Sequence, residues 1–370
     1  MQSLTSNGRI LFLLIAVFAI GQNTKAQSDI ETKPIQIQAP ESSKDWLRIT
    51  QEGITLTQAG RYGAAESRFR RALLDAEAFG PSDYRLWASL SNVAYVIGEQ
   101  GDLAGAEKLY GRVLQLREQY LGPRHLEVAS TLNNLAGILR QQARYSDADA
   151  LLRRALEIAE PSPDLRLTGT VLNTLGLNLM DLHETARAEP VLRRSRAMFE
   201  QVAGADSLDV AKSTTNLANL YRQHNQVSKA EAEQRRAIEI MEKQLGTEHP
   251  LLVSAWNNLF TILSLQNREE EGEAYLRRAL EVGQRAFPSG APMLQIRANL
   301  ATLEARRGHY PEAARILEEV IAAQERLLGA DHPSLGSSLA RYSEVLKKLH
   351  QNGPAKRAQA RANAILKSYR

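Results

Sequence analysis

The 370-residue sequence contains no cysteine, which excludes a disulfide framework, thiolate metal sites, a cysteine nucleophile and a lipid-modified cysteine behind an export signal. Aromatic residues are scarce, at 6% against 43% apolar residues overall, so alanine and leucine must supply most of the packing. No Asn-x-Ser/Thr acceptor occurs, and nothing supports a glycosylated surface. The sequence also lacks a Gly-x-Ser-x-Gly elbow, a phosphate-cradling glycine loop and a His-Glu-x-x-His helix. Those absences argue against an enzyme and leave no cofactor to expect. Long apolar runs are missing too. Ile10 to Ile20 is the one strongly apolar stretch, and at about 1.5 Å per residue it covers only roughly half of a bilayer's hydrocarbon core. A stable membrane span is therefore not expected.

That short run reads differently in its context. Arg9 precedes it, and Thr24-Lys25-Ala26 places small residues around a cleavage point before Gln27, so residues 1–26 have the layout of a secretory signal. Export without cysteine suits a periplasm or secretion. Residues 27–43, with Pro34 and Pro40 among polar residues, read as a flexible leader. The net charge of +4 is carried by the ends of the chain. Arg9 and Lys25 lie in the signal, and Lys356, Arg357, Arg361, Lys367 and Arg370 form an acid-free tail. Setting aside these seven leaves 39 basic residues against 42 acidic ones, so the body is slightly acidic and a nucleic-acid surface is not indicated.

One local pattern recurs along residues 44–370. Two apolar residues flank one or two asparagines, a small residue follows, and a second segment carries a small-acid pair and an Arg-Arg-Ala-Leu run. Its clearest copy is Leu132-Asn133-Asn134-Leu135-Ala136 followed by Arg153-Arg154-Ala155-Leu156. The apolar residue after the asparagine falls at Val93, Leu135, Leu175, Leu217, Leu259, Leu300 and Tyr342, at intervals of 40 to 42 residues. A second column, Ala72, Val113, Ala155, Ser195, Ala237, Ala279 and Val320, advances in step with it. Such a period marks a solenoid built from one supersecondary unit. Within a unit the apolar spacing is helical, as in Leu132, Leu135 and Leu139, and again in Leu152, Ala155, Leu156 and Ala159. The expected fold is thus all-α, a right-handed superhelical solenoid of about eight helix-turn-helix repeats. They lie near 44–80, 81–122, 123–160, 161–204, 205–246, 247–290, 291–329 and 330–370.

Small residues recur where paired helices must approach. Gly53, Ala94, Ala136, Gly176, Ala218, Ala301 and Ser343 form one column, broken by Phe260; Ala65, Ala106, Ala148, Ala188, Ala230, Gly272, Ala313 and Ala355 form the other. The Leu-Asn-Asn-Leu-Ala string, the Gly-x-Tyr turn, the Ala-Glu pair and the junctions Leu245-Gly246-Thr247-Glu248-His249-Pro250 and Leu328-Gly329-Ala330-Asp331-His332-Pro333 together resemble the tetratricopeptide repeat. The likeness is to the longer, 42-residue form found in kinesin light chains and many bacterial proteins.

The resemblance implies that first helices line a concave surface that holds other proteins or peptides. Asn92, Asn133, Asn134, Arg140, Asn173, Lys212, Asn216, Asn219, Arg222, Asn257, Asn258 and Asn299 then become the candidate binding residues. An asparagine carries both donor and acceptor, so a row of them can pair with an extended peptide backbone. The alternative is that these side chains bond to one another. Arg140, Lys212, Arg222, Arg306 and Lys348 outnumber Glu99 and Asp181 on this surface, which favours an acidic protein or peptide ligand. A homo-oligomerising structural solenoid is the other reading. His125, His249 and His332 sit at equivalent junctions, so they belong to the repeat and not to a metal site. The Arg-Arg pairs at 70–71, 153–154, 193–194, 235–236 and 277–278 read as a solvated stripe, with Arg153, Arg235 and Arg277 spaced to pair with Glu157, Glu239 and Glu281 one turn on.

Overall fold

The computed structural model describes residues 43–286 and 291–367, and all regular structure among them is helical. The expected signal at 1–26 lies outside the described residues, as does the leader up to residue 42. Eight first helices alternate with eight second helices. The first pairs are α1 (Ser43–Gln58) with α2 (Tyr62–Glu77), α3 (Tyr84–Glu99) with α4 (Leu103–Leu121), α5 (Leu126–Gln141) with α6 (Tyr145–Ala159), and α7 (Leu165–Asp181) with α8 (Thr185–Ala203). They form one compact unit ending at Ala205. A second unit, from Asp206 on, holds α9 (Leu208–Gln223) with α10 (Val227–Leu245), α11 (Leu252–Leu265) with α12 (Glu269–Ala286), α13 (Ala291–Arg306) with α14 (Tyr310–Leu328), and α15 (Pro333–Lys348) with α16 (Asn352–Lys367). Within each unit, every first helix packs on its partner and every second helix on the next first helix.

The two small-residue columns meet inside each pair. Ala94, Ala136, Ala218 and Ala301 are fully covered, as are Ala106, Ala148, Ala230 and Ala313 opposite them. At two places the approach needs glycine. A Cβ on Gly53 would sit 2.5 Å from the Phe69 ring, and one on Gly176 would sit 2.5 Å from Leu192 Cγ. The apparent exception at Phe260 is the same contact reversed, because Gly272 of the partner helix leaves the room that the ring fills, 3.2 Å from where a Cβ would stand. Gly176→Val is expected to force α7 from α8 and lower stability by about 1–3 kcal/mol, read as a reduced urea midpoint.

Each turn within a pair places one residue at left-handed φ, at Gly60, Gly101, Ala143, His183, Asn225, Asn267, Gly308 and His350, with φ between 55° and 93°. Only three of these are glycines. The backbone conformation is dictated by closing the pair, and packing holds the other five against a preference of about 1–2 kcal/mol for the right-handed region.

Junctions between pairs end in helix caps. Asp83 accepts from Arg85 N at 2.9 Å and Asp164 from Leu167 N at 3.0 Å. The junction histidines do the same work with a ring nitrogen: Nδ1 of His125, His249 and His332 accepts from the amides of Glu127, Leu251 and Ser334 at 3.1, 3.2 and 3.2 Å. Accepting at Nδ1 requires a neutral imidazole. Burial pulls the pKa of His249 and His332 below the ordinary value. The unfolded chain therefore binds more protons, so this contribution is present above about pH 6.5 and is lost as the pH falls. Replacing both rings with asparagine, a strong cap that does not titrate, is expected to shrink the loss of melting temperature between pH 7.5 and 5 relative to the wild type.

The arginine pairs depart from the expected partners. The first arginine of each pair turns back four residues to the acid of the small-acid pair: Arg70 to Glu66 at 2.7 Å, Arg153 to Asp149 at 2.6 Å, Arg193 to Glu189 at 2.8 Å, Arg235 to Glu231 at 2.8 Å and Arg277 to Glu273 at 2.7 Å. The second helix-borne arginine reaches the preceding repeat, as Arg112 to Glu77 (4.0 Å), Arg154 to Glu118 (2.5 Å), Arg194 to Glu160 (2.6 Å), Arg278 to Glu242 (3.1 Å) and Arg361 to Glu325. The small-acid pair also receives the next turn. Glu107 accepts from Gln142 at 2.9 Å and Arg144 at 2.8 Å, and Glu231 accepts from Gln266 and Arg268, both at 2.7 Å. These exposed pairs contribute a few tenths of a kcal/mol each. Their effect is to align one repeat on the next.

Candidate functional site

In the first unit, the third turn of α3 and α5 buries Asn92 and Asn133, with 6% and 5% of their surfaces exposed, while Asn134 and Asn173 are half-exposed. Asn133 Nδ2 donates to Asn134 Oδ1 at 3.5 Å. Arg140, in the last turn of α5, is already engaged: its Nε and Nη2 both donate to Asp181 Oδ2 of α7, at 3.0 and 2.6 Å. Two residues read from the sequence as competing surface charges are thus an ion pair between successive first helices.

In the second unit, Asn216, Asn257 and Asn299 are buried at 2%, 8% and 4% exposure. Asn299 Nδ2 donates to Asn257 Oδ1 at 2.7 Å, and Arg341 Nη1 donates to Asn299 Oδ1 at 3.1 Å, which makes a chain of polar side chains across α11, α13 and α15. This is the side-chain bonding alternative realised between repeats, as it is within α5 for Asn133 and Asn134. Arg341, which stands where Asn92, Asn134, Asn216, Asn258 and Asn299 stand in other repeats, extends it. Lys212, Asn219 and Asn258 are half-exposed on the same helices. Arg306 is also engaged, donating to the Ser264 carbonyl at 3.0 Å and to Glu269.

Arg222 differs from all of these. It occupies the place on α9 that Arg140 occupies on α5, and its guanidinium is half-buried, with its pKa lowered by that burial alone. Among the described residues it has no hydrogen-bond or ion-pair partner. Leu265 holds the place in α11 that Asp181 holds in α7, and it is 51% exposed. Column alignment of positions 140, 222, 181 and 265 could have singled out Arg222 from the sequence; charge counting alone did not.

The first unit also buries a carboxyl group that the sequence reading placed on the binding surface. Glu99 at the end of α3 is only 7% exposed. Tyr62 donates to it, and burial pushes its pKa up to about 7 despite that bond. Tyr95 and Tyr110 flank it, and the Tyr95 hydroxyl is covered and without a partner. The folded state therefore holds the proton more tightly than the unfolded chain, whose glutamate titrates near 4.3. Stability from this group is full below that value and is lost as the pH rises through about 7. Glu99→Gln is expected to raise stability at pH 8, by at most about 4 kcal/mol, with the gain fading towards pH 5 in urea titrations.

Among the described residues no three His, Asp or Glu side chains are grouped to hold a metal ion, and no helix is long and apolar enough to cross a membrane. Family models described as tetratricopeptide repeat match residues 84–160 and 167–243, and again residues 293–334, more than half of the chain in all. No curated protein matches the sequence. Among solved structures, the apo form of the quorum sensor NprR from B. thuringiensis is similar over 87% of this chain and 87% of its own, at 11% identity and a TM-score of 0.61. A Rap protein complexed with competence and sporulation factor matches over 89% of this chain and 99% of its own, at 15% identity and a TM-score of 0.59. The Rap conjugation gene regulator of plasmid pLS20, in complex with the Phr* peptide, covers 82% of this chain and 77% of its own, at 13% identity and a TM-score of 0.60.

Proposed function

Since the chain belongs to the tetratricopeptide-repeat family, we propose that it is a non-catalytic interaction scaffold whose first helices bind an extended, acidic peptide or partner segment. Arg222 carries this reading. A half-buried guanidinium is costly when no anion meets it, and among the described residues an anion meets its counterpart Arg140 but none meets Arg222. A ligand carboxylate would complete the second site as Asp181 completes the first, and the exposed Leu265 offers an apolar contact beside it in the repeat pattern. Half-exposed Asn219 and Asn258 provide amides for a peptide backbone. Two of the similar structures, a Rap regulator with the Phr* peptide and a Rap protein with competence and sporulation factor, are themselves peptide or factor complexes, which supports the same class of activity.

The proposed setting is outside the cytoplasm, in a periplasm or secreted. Arg9, the apolar run from Ile10 to Ile20 and the small residues before Gln27 support it, together with a cysteine-free composition. On an array of acidic, neutral and basic peptides, the wild type is expected to prefer acidic sequences. Arg222→Gln should weaken that binding about tenfold or more, the scale of one charge-assisted hydrogen bond. Arg140→Gln should leave it within about twofold. Equal binding of acidic and neutral peptides, or no loss in the Arg222 variant, would remove the proposal.

A further inference from the structure

A second half-buried cation on the first helices of the second unit meets no acid among the described residues. Arg341, in the middle of α15, donates from Nη1 to Asn299 Oδ1 at 3.1 Å, and this neutral oxygen is its acceptor on α13. Burial alone lowers its pKa from the ordinary value, as it does for Arg222. The acids that could have reached it are engaged or absent. Glu344, the one acid within a turn of Arg341 on α15, pairs with Lys347 at 2.6 Å, and α13 carries no acid within a turn of Asn299. Other cations of these helices do find carboxylates, Arg297 in Glu319 at 3.7 Å and Arg306 in Glu269.

The polar chain across the first helices does not need a charge at this place. Asn216, Asn258 and Asn299 hold it in the three preceding repeats, and Asn299 shows that a single amide donor is enough to reach the repeat before. A guanidinium carries five N–H donors in a planar fork. Asn299 takes one of them, and among the described residues no other protein acceptor meets the rest. Partly removed from water and left with a neutral neighbour, such a fork is suited to a carboxylate that arrives from outside.

Arg222 and Arg341 belong to the same compact unit, three repeats apart, in the last turn of α9 and the middle of α15. Arg222 lies five places after Leu217 and Arg341 one place before Tyr342, a difference of six places along the repeat. Helices packed at about 10 Å per step, with about 9 Å of offset along the axis, put the two groups roughly 30 Å apart. An extended chain at about 3.3 Å per residue covers that in about nine residues. The surface between them is polar and nearly free of charge. α11 contains no charged residue, and Asn258, Thr261 and Thr302 are half-exposed along the way.

We propose that Arg341 is a second anchor of the peptide site, so that the partner is an extended segment with two acidic residues about nine positions apart and uncharged residues between them. The second anchor rests on the peptide-binding reading of Arg222 and adds to it the spacing of the partner's charges.

Isothermal titration of the full chain with neutral peptides of equal length tests it, one carrying a single glutamate, one carrying two glutamates about nine residues apart and one carrying two about four apart. The wild type is expected to bind the widely spaced peptide about tenfold more tightly than either of the others, the gain of one further charge-assisted contact. Arg341→Asn restores the residue of the neighbouring repeats and keeps a donor for Asn299. It should abolish that gain and leave the single-glutamate peptide within about twofold, with circular dichroism melts to show that the variant is folded. The comparison of spacings in the wild type needs no variant at all. Equal binding of the two spacings, or a gain that persists in Arg341→Asn, overturns the second anchor and leaves the Arg222 reading in place if Arg222→Gln still weakens acidic peptides. Absence of any preference for glutamate-bearing peptides over a glutamate-free one removes both.

Discussion

The close approach of paired helices through small side chains is the constraint on which the rest of this structure depends. Where Ala136 meets Ala148, or Gly176 meets Leu192, the axes lie near enough for a short turn to join them. The left-handed residue in each turn follows from that closure, as do the helix caps that start the next pair. Repeating the same contact every 40 to 42 residues then forces equivalent residues into register from one repeat to the next. Arg140 meets Asp181, and Asn257 meets Asn299, because in both cases the later residue stands one place beyond the equivalent of the earlier, within reach of it on the next first helix.

Register also explains why charge is used so differently on the two kinds of helix. On second helices, acids and arginines alternate between same-helix and next-repeat partners, and each contact is weak but oriented. On first helices the polar side chains are partly covered, so an unmatched group there is more consequential. Glu99 is tolerated as a buried acid because Tyr62 donates to it and because its proton is retained near neutral pH. Arg341 donates to Asn299. Arg222 is a half-buried cation with no complement among the described residues, which is why it stands at the centre of the binding proposal.

Much of the fold was legible in the spacing of apolar and small residues. The period, the pairing of helices and the two small columns all appear in the residue order, since an α-helix maps sequence separation directly onto a face. Phe260 looked like an exception because one column was read without the other; its compensation by Gly272 is visible once both are aligned. The junction histidines were read as belonging to the repeat, yet their capping bonds were not foreseen, because a ring nitrogen accepting from a backbone amide has no periodic signature.

The residue order by itself determined the all-helical repeat, its period and the positions where helices must touch, because those rest on local geometry that every copy shares. Tertiary structure alone decided which polar groups were consumed internally. Arginines expected to pair forward with Glu157, Glu239 and Glu281 turned back to Asp149, Glu231 and Glu273, and Arg140 was lost to Asp181 while Arg222 found no partner among the described residues. A long, flexible side chain can reach several partners at similar sequence separations. Only the packed distance between neighbouring helices, and the solvent removed from around each group, selects one of them.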